Sequence, residues 1–366
     1  MTEIQPKGSP WIAGVEPPAN LRDKSMVEIY ELECREQSER LAQLLGDYQG
    51  DPSTRKELDQ FAALARSEGP VLFVGMGASY CSSITGVVHL QSHGRSSFAV
   101  DASEWLHYSE AWEQVALSML VTTSGESAEL VKLCQRGANR PVGLLCNNDK
   151  SVCWSLVQHK LPILAGPEYG NATKTYTNAT AACIVLASHI VGYKWQDDVQ
   201  QVLQSFSMSL ELAFRRKDEM EEFCRGAANI EIVGRGAGYG AAIMGALCIR
   251  EMTGNRAAPH SGGGFRHGPI LDVNGSHVAM IFALGRTASL GVTLAQDCLK
   301  RGGKVILVET EERAASERLL PIRIASVPEP WEGITSVLVP QALTLAIAKR
   351  FGANLKPRFQ YGEMKE

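Results

Sequence analysis

The chain lacks the features that mark secreted, membrane-spanning and general nucleic-acid-binding proteins. Its 366 residues contain no window of about 18 consecutive apolar residues, and no apolar stretch typical of a signal peptide begins it. No run of five basic residues occurs, and the net charge is −4, so we expect no nucleic-acid partner. The 9 cysteines include no Cys-x-x-Cys pair, which favours reduced, buried thiols. We therefore expect a cytoplasmic protein with no membrane partner.

Three kinds of catalytic site also lack their sequence signatures. No His, Asp or Glu residues recur at a metal-binding spacing such as His-Glu-x-x-His, so we predict no metal. The absence of a Gly-x-Ser-x-Gly elbow argues against a serine hydrolase. The segment Gly75–Ser79 follows a strand-like run, but Tyr80 occupies the third glycine position of the dinucleotide fingerprint. No nicotinamide or flavin cofactor is therefore expected.

Short apolar runs alternate with amphipathic stretches along the chain. A helical pattern over 25–47 precedes the first of them. The strand-like runs are 71–74, 116–121, 141–146, 230–233, 278–284 and 304–308. Because strands that alternate with helices are typical of βαβ units, the sequence predicts an α/β fold with parallel sheets.

The order of these elements occurs twice. Val74–Tyr80 matches Val233–Tyr239 at an offset of 159, with five of the seven residues identical. We therefore predict two tandem doubly wound α/β modules and a helical N-terminal segment. The predicted divisions are 1–45 for an N-terminal arm and helix, 46–205 for the first module, 206–350 for the second module and 351–366 for a C-terminal tail.

Four hydroxyl residues flank Gly125 where a buried strand meets a helix. Thr122, Thr123, Ser124 and Ser127 follow the run 116–121 and precede a helical pattern over 129–137. Free backbone N–H groups and the helix dipole favour an anion at such a helix start, and this edge of an open α/β sheet is where ligands bind. We interpret the segment as a phosphate site, beside which Ser79 adds a hydroxyl. A simple Ser/Thr helix cap is the alternative.

Glu251 is a candidate for proton transfer. It falls on the same helical face as Met244 and Leu247, where a carboxylate is not in the usual solvated position. If partly buried, its pKa should be raised, which suits a general acid–base. The alternative is an ion pair with Arg250 or Arg256.

His267 is the second candidate for proton transfer. Three consecutive glycines precede it at 262–264, and Gly268-Pro269 follow it, so the backbone is turned sharply on both sides. A histidine held on such a loop can donate a proton near neutral pH. A packed or surface histidine is the alternative.

In combination these motifs resemble the double sugar-isomerase-domain (SIS) phosphosugar proteins, which include the isomerase half of glucosamine-6-phosphate synthase and the fructoselysine-6-phosphate deglycases. The resemblance extends from about residue 25 to the tail. It rests on Gly75–Tyr80, Thr123–Ser127, Glu168–Lys174, Arg250-Glu251 and Phe265–Pro269.

The resemblance implies a function for each of these segments. Glu251 would be the catalytic acid–base, and His267 would assist opening of the sugar ring, usually from the partner subunit. A homodimer or larger homo-oligomer with a shared active site is therefore expected, with a small-molecule sugar phosphate as ligand and no cofactor. The residues implied in binding the phosphate and sugar are Ser79, Thr122, Thr123, Ser124, Ser127 and Thr173.

Two positions depart from the synthase pattern. Cys248 stands where the synthase has a lysine three residues before the glutamate, and Gly362 stands where it has the tail lysine that forms a Schiff base. Lys365 is the nearest tail lysine and is out of register, and no glutaminase segment accompanies the motifs. We therefore expect a sugar-phosphate isomerase or deglycase that moves a proton between C1 and C2 of an (amino-)sugar 6-phosphate or a 6-phosphofructosyl-amine, without glutamine-dependent synthesis. A non-catalytic phosphosugar sensor is the alternative.

Overall fold

The computed structural model describes residues 18–109, 114–137 and 140–351, which form two parallel five-stranded sheets with helices on their faces. The strands are β1 (Val71–Gly75), β2 (Ser97–Asp101), β3 (Leu117–Thr122), β4 (Val142–Cys146), β5 (His159–Pro162), β6 (Asn229–Gly234), β7 (Ala257–Ser261), β8 (His277–Phe282), β9 (Lys304–Glu309) and β10 (Leu319–Arg323). The helices are α1 (Ala19–Arg22), α2 (Met26–Gly50), α3 (Pro52–Leu64), α4 (Ala78–Ser92), α5 (Ala102–Tyr108), α6 (Ala128–Arg136), α7 (Val152–Leu156), α8 (Lys174–Val191), α9 (Val199–Arg215), α10 (Lys217–Cys224), α11 (Ala237–Thr253), α12 (Gly262–Arg266), α13 (Ala288–Lys300), α14 (Glu332–Ser336) and α15 (Leu338–Phe351).

The two sheets have the same strand order. The first runs β2-β1-β3-β4-β5 and the second β7-β6-β8-β9-β10, with every neighbouring pair parallel. In each sheet the order reverses between the first and third strands along the chain, which is the topological switch point of a doubly wound fold. The predicted α/β architecture is therefore confirmed, and each strand predicted from an apolar run begins and ends within two residues of that run.

The predicted N-terminal helix is confirmed as α2. Its start is fixed by a capping box in which the Ser25 side chain accepts the Glu28 N–H while the Glu28 carboxylate accepts the Ser25 N–H. Asp51 ends this helix and caps α3, which has Pro52 in its first turn. The predicted division after residue 205 falls inside α9 and stays a prediction.

Helices α4, α8 and α11 lie between the two sheets. One hydrophobic cluster holds Phe73 of β1 and Ile232 of β6 together with buried side chains of these helices. Along the crossing of α4 and α11, the Thr85 hydroxyl donates to the Ala237 carbonyl, and the Cys81 carbonyl lies against Gly240. The later residue of α4 thus meets the earlier residue of α11, so the two helices are antiparallel. The last turn of α11 therefore extends past the first turn of α4. No helix in the described ranges is both long and apolar enough to cross a membrane.

Candidate functional site

The carboxyl edge of the first sheet brings together the segments predicted to bind phosphate. Gly75–Ser79 joins the end of β1 to the start of α4, and Thr122–Ser127 joins the end of β3 to α6, so the two segments meet at the switch point of the sheet. Each contains a glycine in the left-handed region, Gly77 at φ +53° and Gly125 at φ +68°. Each segment leads directly into a helix, so the backbone N–H groups of α4 and α6 begin at this edge.

The turn at 122–127 is held in shape by its own hydroxyls. The buried Thr122 hydroxyl accepts the Gly125 N–H at 3.0 Å, and the Ser124 hydroxyl accepts the Glu126 N–H at 3.3 Å. A Cβ atom on Gly125 would lie 2.2 Å from the Ser151 hydroxyl, so only glycine fits there. Thr122 is therefore committed to the turn, while Thr123, Ser124 and Ser127 remain partly exposed.

Ser127 does not act as a helix cap. It directly precedes α6, yet its side chain makes no capping hydrogen bond. The Ser79 hydroxyl likewise has no partner within the described ranges, although its carbonyl accepts the Ser82 and Ser83 hydroxyls. Two hydroxyls at helix starts are thus available to an anion, which favours the phosphate interpretation over the simple cap.

Glu251 lies in the last turn of α11, beyond the first turn of α4 and therefore above this same edge. Its carboxylate is half-buried and makes no ion pair or hydrogen bond with any residue of 18–109, 114–137 or 140–351, so the alternative pairing with Arg250 or Arg256 is not observed there. Burial raises the pKa of Glu251 to about 7, and the nearby charge of Arg250 opposes this rise. A carboxyl that titrates near neutral pH can both accept and return a proton.

The segment 168–173 packs against the turn of α11 that precedes Glu251. The Asn171 amide donates to the Cys248 carbonyl at 3.4 Å, and the Cys248 thiol donates to the Ala172 carbonyl at 3.9 Å. Thr173 is fully buried, and both its N–H and its hydroxyl donate to Glu168 at 2.9 Å. Burial raises the pKa of Cys248 well above its usual range, so a neutral thiol stands where the synthase has a lysine.

His267 does not lie beside Glu251 in the same chain. Ile230 and Ile232 of β6 share a hydrophobic cluster with α11, whereas Val233 shares one with Phe265 of α12. Because alternate side chains of a strand face opposite sides of the sheet, α11 and the segment that carries His267 cover opposite faces of the second sheet. His267 itself is exposed, and no residue in the described part of the chain hydrogen-bonds to its ring.

Two asparagines at this edge were not singled out from the sequence. The Asn147 side chain bonds Gly166 and Ala165 at 2.8 Å each, and the Asn148 amide donates to the Ser124 carbonyl at 3.3 Å. Both follow β4 directly, so their position after a predicted strand was the available signal. The tail positions Gly362 and Lys365 lie outside the described residues.

Comparison with known proteins gives one family match and many relatives. Residues 225–348 match the family described as SIS domain. The chain is 28% identical over 312 residues to glutamine--fructose-6-phosphate aminotransferase [isomerizing] from Pyrococcus horikoshii, a match that covers 82% of this chain and 52% of the relative. The chain thus spans about half the length of the curated relatives it matches.

Solved structures show the same fold over most of the chain. The C-terminal domain of glucosamine-fructose-6-phosphate aminotransferase from Francisella tularensis has a TM-score of 0.79 at 20% identity, covering 93% of this chain and 99% of that one. Tagatose-6-phosphate ketose/aldose isomerase from Escherichia coli has a TM-score of 0.72 at 17% identity, covering 94% and 97%. The chain therefore has the fold of these structures, and residues 225–348, which include the whole second sheet, contain an SIS domain.

Proposed function

We propose that the carboxyl edge of the first sheet binds a sugar 6-phosphate and that Glu251 transfers a proton between C1 and C2 of the bound sugar. The observation that carries this proposal is the unpaired Glu251 carboxyl, whose pKa is raised to about 7, above an edge lined by uncommitted hydroxyls. Thr123, Ser124 and Ser127 would hold the phosphate at the start of α6, with Ser79 beside them.

The relatives support this assignment by their names, which refer to fructose 6-phosphate and tagatose 6-phosphate. We also propose that residues 46–205 form a second SIS domain, because the first sheet has the strand order of the second. In this arrangement the candidate site belongs to the first module and receives Glu251 from the second.

The reaction would proceed through an enol or enolamine. The Glu251 carboxylate removes the C–H proton on one carbon and returns it to the neighbouring carbon. The carbonyl oxygen gains a proton and the neighbouring hydroxyl loses one, so that aldose and ketose phosphates are interconverted. In a deglycase the same shuttle converts the C1-amino ketose into a C1 imine, and water then hydrolyses the C1=N bond to give the C1 aldehyde and the free amine. Thr173 would contribute to the wall of the sugar site through the packed segment 168–173, since its own hydroxyl is bound to Glu168.

A second chain would complete the site. Glu251 and His267 of one chain are on opposite faces of the second sheet, so we propose a homodimer or larger homo-oligomer in which His267 of the partner subunit assists opening of the sugar ring. The exposure of His267 supports this arrangement, because the side chain is accessible to another copy.

Turnover by the purified protein tests the proposal. Fructose 6-phosphate, glucosamine 6-phosphate and a 6-phosphofructosyl-amine would be offered, and isomerised sugar or released amine measured. Glu251→Gln should lower turnover by ~10²–10⁴-fold while it leaves sugar-phosphate binding nearly intact. Glu332→Gln is the matched control, because burial raises the pKa of Glu332 to about 7 as well, at a position in α14 away from this edge. Wild-type turnover in Glu251→Gln would contradict the mechanism.

Calorimetry tests the phosphate turn separately. Ser124→Ala combined with Ser127→Ala should weaken sugar-phosphate binding by about 2–4 kcal/mol, as expected for two hydrogen bonds to a charged group. Thr287→Ala is the control, since Thr287 directly precedes α13 in the second module as Ser127 precedes α6 in the first. Unchanged affinity in the double variant would reject the assignment.

A phosphosugar sensor is the second candidate. If the protein stays monomeric, the separation of Glu251 from His267 favours the sensor function. The phosphate turn would then bind a sugar phosphate without the second proton-transfer group beside it. Tight binding of a sugar phosphate with no turnover of any of the three compounds would support the sensor.

A further inference from the structure

Helix α2 carries a polar stripe that contacts the segment 168–173 and the first turn of α8. Glu33, Glu36 and Gln37 lie at i, i+3 and i+4, so they share one face of the helix. Glu36 forms an ion pair with Lys174, and Gln37 accepts the Thr177 hydroxyl at 2.6 Å. The stripe therefore holds the first turn of α8 at two points.

Glu33 reaches the segment 168–173 that packs on α11. Its side chain is buried, with 3% exposed, and its two carboxylate oxygens accept the backbone N–H groups of Tyr169 at 2.5 Å and Gly170 at 3.0 Å. A Cβ atom on Gly170 would lie 2.9 Å from the nearer oxygen, so the contact leaves no room for a side chain. Both oxygens are thus used to fix two consecutive peptide groups.

This arrangement is electrostatically unfavourable. Burial and the neighbouring Glu168 raise the pKa of Glu33 above its usual range, and burial also raises the pKa of Glu168. Two buried carboxyl groups side by side add little to stability, because desolvation offsets the hydrogen bonds they accept. Such costly groups are common where a backbone must be held in one position for function.

The fixed segment contacts the catalytic helix one turn before Glu251. Tyr169 and Gly170 are followed directly by Asn171 and Ala172, which bond the Cys248 carbonyl and thiol. A shift of Tyr169 and Gly170 would therefore also move Asn171 and Ala172, which border the proposed sugar site. The phosphate turn at 122–127 would stay in place, because its own hydrogen bonds and the close fit of Gly125 hold it.

We propose that Glu33 is a positioning residue that fixes the segment 168–173 against the turn of α11 carrying Glu251. This inference rests on the proposed function for its effect on turnover, but the restraint of the segment can be tested without any substrate.

Hydrogen–deuterium exchange and turnover would be measured together on the full chain. Glu33→Ala should make exchange of the Tyr169 and Gly170 amides at least ~10-fold faster, because they lose their acceptors. It should lower kcat by ~10–100-fold while the affinity for fructose 6-phosphate changes less than about threefold, since positioning affects the reacting carbons more than the phosphate. Glu31→Ala is the matched control on the same helix, as Glu31 pairs with Arg35 and Lys349 instead.

A reciprocal change tests the same contact from the other side. Gly170→Ala alone should also speed exchange of the Tyr169 and Gly170 amides, which keeps the test decisive if Glu33→Ala folds poorly. Gly170→Ala places a Cβ atom against the Glu33 carboxylate, so it should also lower kcat, and most of this loss should disappear in the Glu33→Ala background. Additive losses in the double variant, or exchange in Glu33→Ala equal to that in Glu31→Ala, would overturn the inference. If the wild type turned over no sugar phosphate, the proposed function would fail, and exchange at Tyr169 and Gly170 would still support or overturn the restraint.

Discussion

Replacing Glu251 by Gln should stabilise the protein at alkaline pH while it slows the proposed proton transfer. Burial raises the pKa of this carboxyl from 4.5 to about 7. Between these two values the folded chain keeps a proton that the unfolded chain has released. Folding is therefore favoured below pH 4.5, and this contribution is lost as the pH rises through 7. Gln stays neutral at every pH and avoids that loss.

The size of the effect follows from the pKa shift. At about 1.36 kcal/mol per pKa unit, the shift corresponds to about 3 kcal/mol, and partial exposure of the carboxyl reduces it to about 1–2 kcal/mol. The gain in the free energy of unfolding for Glu251→Gln should be near zero at pH 4.5 and largest above pH 7. Urea unfolding followed by circular dichroism between pH 4.5 and 8.5 measures it.

Glu332→Gln gives the comparison that isolates catalysis from stability. Burial, followed by the charge of Glu329, raises the pKa of Glu332 to about 7, so this variant should show a similar pH-dependent gain without loss of turnover. If the stability of Glu251→Gln followed that of the wild type in parallel at every pH, the carboxyl would not be held in a desolvated position. The argument for Glu251 as a general acid–base would then lose its physical basis.

Three further predictions follow from the same geometry. Mixing Glu251→Gln chains with His267→Ala chains under conditions that exchange subunits should restore about a quarter of wild-type turnover, because half of a random mixture is heterodimer with one intact site; no recovery would argue against a shared site. Gly125→Ala should lower the midpoint of thermal unfolding and abolish sugar-phosphate binding in calorimetry, because its Cβ would lie 2.2 Å from the Ser151 hydroxyl at φ +68°. Gly240→Ala should destabilise the crossing of α4 and α11 by about 1–3 kcal/mol in urea unfolding, whereas Gly46→Ala, which has open space around it, should stabilise α2 by about 0.5–1 kcal/mol.

The central strands could be predicted because they are buried on both faces. Leu72 and Phe73 of β1 and Ile306 of β9 belong to continuous apolar runs, and such runs mark parallel strands covered by helices. The edge strands carry no such signal. In β2, Phe98 is 52% exposed, and Pro259 and His260 interrupt the apolar pattern of β7, so neither strand has a position in the sequence prediction.

The phosphate turn could be predicted from the sequence because the residues that form it are close together in the chain. Thr122, Ser124 and Gly125 form hydrogen bonds over two or three residues, and a strand and a helix on either side fix their place in the fold. The contact of Glu33 with Tyr169 spans 136 residues, and no local pattern distinguishes Glu33 from the other acidic residues of α2. The separation of Glu251 from His267 was equally inaccessible, because it depends on which face of the second sheet each connection covers.

The two switch points show why one strand order can support different chemistry. At the switch point of the second sheet, Gly285 has a positive φ of +52°, as Gly125 has in the first sheet. The two hydroxyl residues that precede Gly125 are replaced there by Ala283 and Leu284. The carboxylate of Glu329 already occupies this position. It accepts the backbone N–H of Arg286 at 3.2 Å and the Nε–H of the Arg286 guanidinium at 2.8 Å. The fold supplies the backbone geometry at both edges, and the side chains decide that the first is left open to a ligand while the second is closed by an internal ion pair.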